Sequence, residues 1–145
     1  MFERCHIPYE VDKDMAWGLW FKYMCNVGEN LTCALLGIPF GAYGVSQAAS
    51  NIRRAAMKEV QAVAEAKGIH ISDEVMRGQD QTLLTIPYQN KPSTLQDLEA
   101  GKKTEIEMFA GSMVRMGQEL GVPTPVCWMF LQGIHVLEEK NEGKI

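Results

Sequence analysis

Lys22, Asn26 and Asn30 stand four residues apart in a stretch that is otherwise strongly apolar: from Met15 to Val27 every other residue is apolar or glycine. On a helix that spacing places all three along one face. One cation and two amides suit a ligand that carries a carboxylate together with a carbonyl or hydroxyl. The lysine supplies charge and donors, and each asparagine supplies a donor and an acceptor. The same residues also admit a purely structural reading, in which Lys22 snorkels to solvent and the asparagines satisfy nearby backbone. Spacing alone leaves both readings open.

A second chemically suggestive segment runs from Lys91 to Glu107. As local structure it is a proline-led cap, a helical turn, a glycine stop and a T-x-x-E capping box formed by Thr104 and Glu107. Ser93 reads as a helix N-cap, and Glu105 as an acid in the first turn of its helix, where the dipole favours it. His6, His70 and His135 are scattered without metal-ligand spacing, so no metal site is expected. His70 reads as a surface residue. Most of the methionines read as core filler.

These residues need elements to hold them, and the chain reads as helices punctuated by glycine and proline. A first helix, capped by Asp12 or Asp14, is expected from about Lys13 into the thirties, with Gly37 and Pro39 ending it. Pro39 to Gly44 forms a turn-rich connector. Ser46 caps a second helix through Ala66, with Gly68 supplying a left-handed residue beyond its end. Ser72 and Asp73 open a weaker helix, interrupted at Gly78 and stopped near Pro87. Short helical turns from Thr94 end at Gly101, and a run from Met108 to Leu120 ends at Gly121. Thr124 and Pro125 fit the cap and first position of a last helix, Val126 to Glu139, followed by a frayed tail. The fold class is all-α, a single multi-helix bundle over residues 1–145.

Composition agrees. The chain has 145 residues, 46% of them hydrophobic and 22% charged, with a net charge of −4. Such a chain can bury a core, and its acidic balance argues against nucleic acid or an anionic membrane as partner. Its four cysteines, Cys5, Cys25, Cys33 and Cys127, lack any C-x-x-C pair and read as reduced thiols of a cytoplasmic protein. There is no signal-peptide pattern, no membrane-length apolar run, no G-x-G-x-x-G and no P-loop.

Three segments, in this order and spacing, resemble signatures of the C-terminal helical domain of the ketopantoate reductase (2-dehydropantoate 2-reductase) family, which is 6-phosphogluconate dehydrogenase-like. They are Lys22-x-x-x-Asn26-x-x-x-Asn30 with the following Leu-Thr-Cys-Ala-Leu-Leu-Gly, the segment Pro92 to Glu107, and Gly121-Val-Pro-Thr-Pro-Val126. The resemblance spans nearly the whole chain. It implies hydride transfer from NADPH to the ketone of a branched 2-oxo acid, as in pantothenate biosynthesis. Lys22 matches the family's catalytic lysine, while Asn26, Asn30 and Ser93 match its substrate-binding residues. Glu105 matches an acid that reaches both the lysine and the nicotinamide ribose, a catalytic and a cofactor-binding role together.

Some positions depart from the family pattern. Phe40 stands where some members have a further substrate-contacting asparagine, Leu31 replaces a frequent proline, and Ala110 a frequent asparagine. The resemblance also implies an N-terminal Rossmann domain for NADPH that this chain does not contain. The chain alone is therefore expected to be inactive, needing a Rossmann domain in cis or trans, with its uncovered face favouring a homo-oligomer. Two other readings are a stand-alone helical interaction module with an unused site, and a reductase domain for another small 2-oxo acid.

Overall fold

The computed structural model describes residues 15–145, and these are helical, without a strand. The expected caps Asp12 and Asp14, the start at Lys13, and Cys5 and His6 lie outside the described residues. Helix α1 covers residues 15–36, α2 Gln47–Ala66, α3 Asp73–Leu83, α4 Ser93–Glu99, α5 residues 106–120 and α6 Pro125–Asn141. A 3-10 turn, Phe40–Gly44, links α1 to α2. The all-α architecture read from the sequence is the one observed.

From Met24 onward helix α1 lies at the centre, where enclosure by other helices buries its apolar surface, while in its first turns Met15 and Leu19 stay exposed. Met24, Val27, Leu31 and Cys33 are wholly buried. Helix α2 packs on its middle, and α4 and α6 pack on its last turns. Gly37 ends it in the left-handed conformation at φ 68°, donating to the Cys33 carbonyl at 2.8 Å. In α2 the buried positions Ala49, Arg53, Ala56, Met57, Val60, Val63 and Ala64 recur at helical spacing. Burying each of the large apolar side chains among them contributes about 1.5–3 kcal/mol. Ser46 caps this helix by accepting from the Ala49 N–H at 3.1 Å, and Gly68 follows it with φ 88°.

Several boundaries differ from the sequence reading, each for a physical reason. Helix α3 runs unbroken through Gly78. A mid-helix glycine costs about 1 kcal/mol, less than the Ser72 cap and the burial of Met76 and Leu83 supply together. Pro92, not Ser93, is the cap residue of α4; Ser93 is its first helical residue, and the helix starts there rather than at Thr94. The capping box of Thr104 and Glu107 does not form, because both side chains are drawn to α6. Thr104 donates its N–H and hydroxyl to Glu138, each at 2.8 Å, and Glu107 turns to His135.

At the start of α6 the Thr124 side chain makes no cap bond. Glu59 of α2 caps the helix instead, its two carboxylate oxygens accepting from the N–H groups of Val126 and Cys127 at 2.8 and 2.9 Å. A negative charge at this end also suits the helix dipole. Pro125 occupies the first helical position, as expected. The helix reaches Asn141, whose amide donates to the Leu98 carbonyl.

Candidate functional site

The polar line on α1 is not carried by a regular helix. Residues 15–25 are α-helical, Asn26–Asn30 form a π turn, and Leu31–Leu36 resume the α form. The two side chains meet, as side chains four apart do on a helix: Asn30 Nδ2 donates to Asn26 Oδ1 at 2.9 Å, the distance also made by the pair Gln47 and Asn51 in α2. Each amide keeps one further polar group, an NH2 on Asn26 and a carbonyl on Asn30. Lys22, one turn earlier, is exposed.

A second π turn, Glu107–Gly111, opens α5 and packs against the first. Each turn is held by a tyrosine hydroxyl donating to a backbone carbonyl within it. Tyr43 reaches the Glu29 carbonyl and Tyr23 the Phe109 carbonyl, both at 2.6 Å. Burial pushes both phenols well above their ordinary values, so they stay protonated donors. π turns interrupt the regular ladder and are frequent at functional sites.

The remaining candidates sit on neighbouring elements. Helix α4 packs on the first π turn and on the helical turns after it, which brings the element carrying Ser93 against the element carrying the asparagines. Ser93 itself is exposed. Glu105 is not in the first turn of a helix as expected. It immediately precedes α5, with its carbonyl accepting from the N–H groups of Met108 and Phe109 and its side chain exposed. Among the described residues no hydrogen bond joins Lys22, Ser93 or Glu105 to the asparagine pair or to one another. The structure thus unites Asn26 with Asn30, leaves Lys22 exposed one turn earlier on the same helix, and carries Ser93 and Glu105 on other elements.

Helix α6 holds the Glu105 segment from both sides. Thr104 is tied to Glu138, and Glu107 Oε2 lies 2.6 Å from His135 Nε2, while His135 Nδ1 lies 3.1 Å from Glu138 Oε1. The Glu107 contact holds the imidazole above its ordinary pKa, against a smaller opposing effect of burial. Burial pushes the Glu138 carboxyl up, but the Thr104 and His135 contacts outweigh it and leave it below the usual range.

The sequence reading missed the charged group beneath the asparagines. Glu29, inside the first π turn, is 4% exposed, and Arg53 of α2 is 1% exposed. Arg53 contacts Glu29 Oε2 through Nη2 at 3.2 Å and Nε at 3.4 Å, and Asp80 Oδ1 through Nη1 at 2.6 Å. Its guanidinium also sits 5.7 Å from the centre of the Tyr43 ring. The signal was present: Arg53 falls three and seven residues before Ala56 and Val60, on the face that α2 buries. Burial also pushes the Cys25 and Cys33 thiols up, to about 12 and about 11, and both cysteines are free. Neither is a nucleophile at neutral pH.

An apolar cleft of about 430 Å³ lies between α1 and α5, lined by Leu19, Trp20, Tyr23, Met108, Ser112 and Met116. None of the five candidate residues lines it. Among the described residues no cluster of metal-ligating side chains occurs, and no helix is long and apolar enough to cross a membrane.

The helical fold is one already known in other chains. Residues 14–138 match the family model described as ketopantoate reductase PanE/ApbA C terminal, and the chain belongs to this family. It is 35% identical over 111 residues to the 2-dehydropantoate 2-reductase of Pyrobaculum aerophilum, covering 74% of this chain and 38% of that protein. It is 25% identical over 139 residues to the enzyme of that name from Streptococcus pyogenes serotype M6, covering 95% of this chain and 45% of that one. The crystal structure of a PanE/ApbA family ketopantoate reductase from Ralstonia eutropha JMP134 superposes with a TM-score of 0.78 at 31% identity, covering 86% of this chain and 42% of that one. The chain thus spans less than half the length of these relatives.

Proposed function

We propose that this chain is the substrate-binding and catalytic half of an NADPH-dependent reductase for a branched 2-oxo acid of the ketopantoate type, working in the cytoplasm. The observation that carries the reading is the asparagine pair, joined at 2.9 Å within a π turn, one helical turn beyond an exposed lysine. Lys22 donates to the ketone oxygen and delivers a proton as negative charge develops there. A cation aimed at developing charge stabilises the transition state more than the ground state. Asn26 and Asn30 orient the substrate through the amide groups their mutual bond leaves over, and Ser93 receives its carboxylate.

NADPH supplies hydride when bound. The described residues are helices and their connections and hold no strand–glycine loop–helix cradle for a dinucleotide, so this chain's share of cofactor binding is a contact from the exposed Glu105 to a ribose hydroxyl. The dinucleotide cradle belongs to a Rossmann partner, in cis or trans. Exposed Leu19 and Met108, beside the apolar cleft, offer a surface for that partner or for a second copy of the chain.

Pantoate, the product-like 2-hydroxy acid, tests this against the alternative of a helical interaction module with an unused site. At about ten times its Kd a ligand of the native state adds about 1.4 kcal/mol of stability. Thermal unfolding of the chain is therefore expected to shift upward with pantoate, and Lys22→Ala is expected to weaken the shift. A melting temperature indifferent to pantoate at every concentration would support the interaction module.

A further inference from the structure

We propose that Glu29 is a positioning residue: gripped by Arg53 through its carboxylate and by Tyr43 through its carbonyl, it fixes in place the π turn that carries Asn26 and Asn30. The inference rests on the reading of those asparagines as substrate-holding amides. Glu29 lies inside the five-residue turn that the pair brackets. Its side chain is anchored to α2 and its backbone to the 3-10 turn, so two separate elements fix one residue.

The anchor is itself restrained. Arg53 is held on its far side by Asp80, which also accepts from Arg54 at 3.0 Å, and the Tyr43 ring lies against the guanidinium. Gly28, next to Glu29, lets α1 approach α2 closely here. A Cβ at that position would collide with Met57 Cγ and lie 3.2 Å from the Arg53 carbonyl. The π turn is therefore pressed against the residue that grips it.

Burial raises the Glu29 carboxyl, with Arg53 opposing it; burial pushes Asp80 up as well, but Arg53 and Arg54 outweigh it there and leave that carboxyl below the usual range. An apolar residue in place of Glu29 would fill the same space, but it would not grip the turn. What the ion pair supplies is a fixed position for the turn.

The test uses the 15N-labelled chain and follows the side-chain amide signals of Asn26 and Asn30 in wild type, Glu29→Gln and Tyr43→Phe. Tyr43→Phe leaves the ion pair intact, so it reports even where Glu29→Gln unfolds the protein. In both variants the Asn26 and Asn30 signals are expected to move toward those of free amides while signals of distant Val60 and Ile134 stay in place. Pantoate affinity is expected to fall about tenfold, the equivalent of one net hydrogen bond. Asparagine signals unchanged in folded variants would overturn the inference, as would unchanged pantoate affinity where wild type binds. A wild-type chain that ignores pantoate would instead overturn the substrate-binding reading, with the asparagine signals alone then deciding the positioning role.

Discussion

Side chains in this protein repeatedly satisfy backbone groups on elements other than their own. Glu59 shows the principle most simply, with one carboxylate of α2 accepting from two N–H groups at the start of α6. Glu59→Ala leaves both without that acceptor and is expected to cost about 1–2 kcal/mol, the upper range for losing a helix cap. Urea unfolding measures it as a lower midpoint with an unchanged slope; an unaltered midpoint would mean that water replaces the carboxylate fully. Glu59 also explains why Thr124 fails as a cap. A residue's own neighbours reveal its capping type, but not whether a distant carboxylate has already taken the site. Thr104 donates to Glu138, and its hydroxyl accepts from the Ile106 N–H at 3.3 Å rather than from Glu107.

The helices of α1, α2, α5 and α6 were legible because their apolar positions recur at helical spacing and their ends carry Ser46, Gly37, Gly68, Gly121 and Pro125. The π turns were not. Nothing in Asn26–Asn30 or Glu107–Gly111 breaks the helical pattern, and the turns are held by Tyr43 and Tyr23 from elsewhere. The candidate asparagines could thus be placed on one face within reach of each other, while the π turn that carries them could not be foreseen. Arg53 was concealed for another reason: an arginine on a buried face makes sense only once Glu29 and Asp80 are seen around it.

The close approach of α1 and α2 yields a prediction at this scale. Gly28→Ala forces a Cβ against buried Met57 and is expected to destabilise by about 1–3 kcal/mol, as overpacking does. Gly18→Ala, on the same helix with open space around it, is expected to stabilise by about 0.5–1 kcal/mol through helix propensity. Denaturant titration of the two variants checks the contrast, and equal effects would refute the proposed close crossing.

At the scale of the whole molecule, two charge clusters among the described residues tie helices together: Glu29, Arg53 and Asp80 join α1, α2 and α3, while Glu107, His135 and Glu138 join α5 to α6. The second responds to pH near neutrality. His135 is held above its ordinary pKa by Glu107, with Glu138 on its other nitrogen and Arg115 3.6 Å from Glu107. Stability from a raised histidine is fully present below its unfolded pKa and is lost as pH rises through the folded one. The melting temperature is therefore expected to fall by roughly 2 °C as pH climbs from slightly acid to slightly alkaline, a small effect because the ring is partly solvated. His135→Gln is expected to flatten that dependence in a pH series of thermal melts, and an undiminished slope would place the titration elsewhere.

The central claim concerns catalysis by a polar line on one helix, and it is tested most directly in a complete enzyme. The chain, fused behind the N-terminal half of the Ralstonia eutropha relative, would be assayed for ketopantoate-dependent oxidation of NADPH, with and without Lys22→Ala. Turnover by the fusion is expected, and its loss by about a hundredfold or more in the variant, as for other groups that stabilise developing charge. A folded, NADPH-binding fusion that reduces nothing, or one in which Lys22→Ala turns over as fast as its parent, would contradict the account.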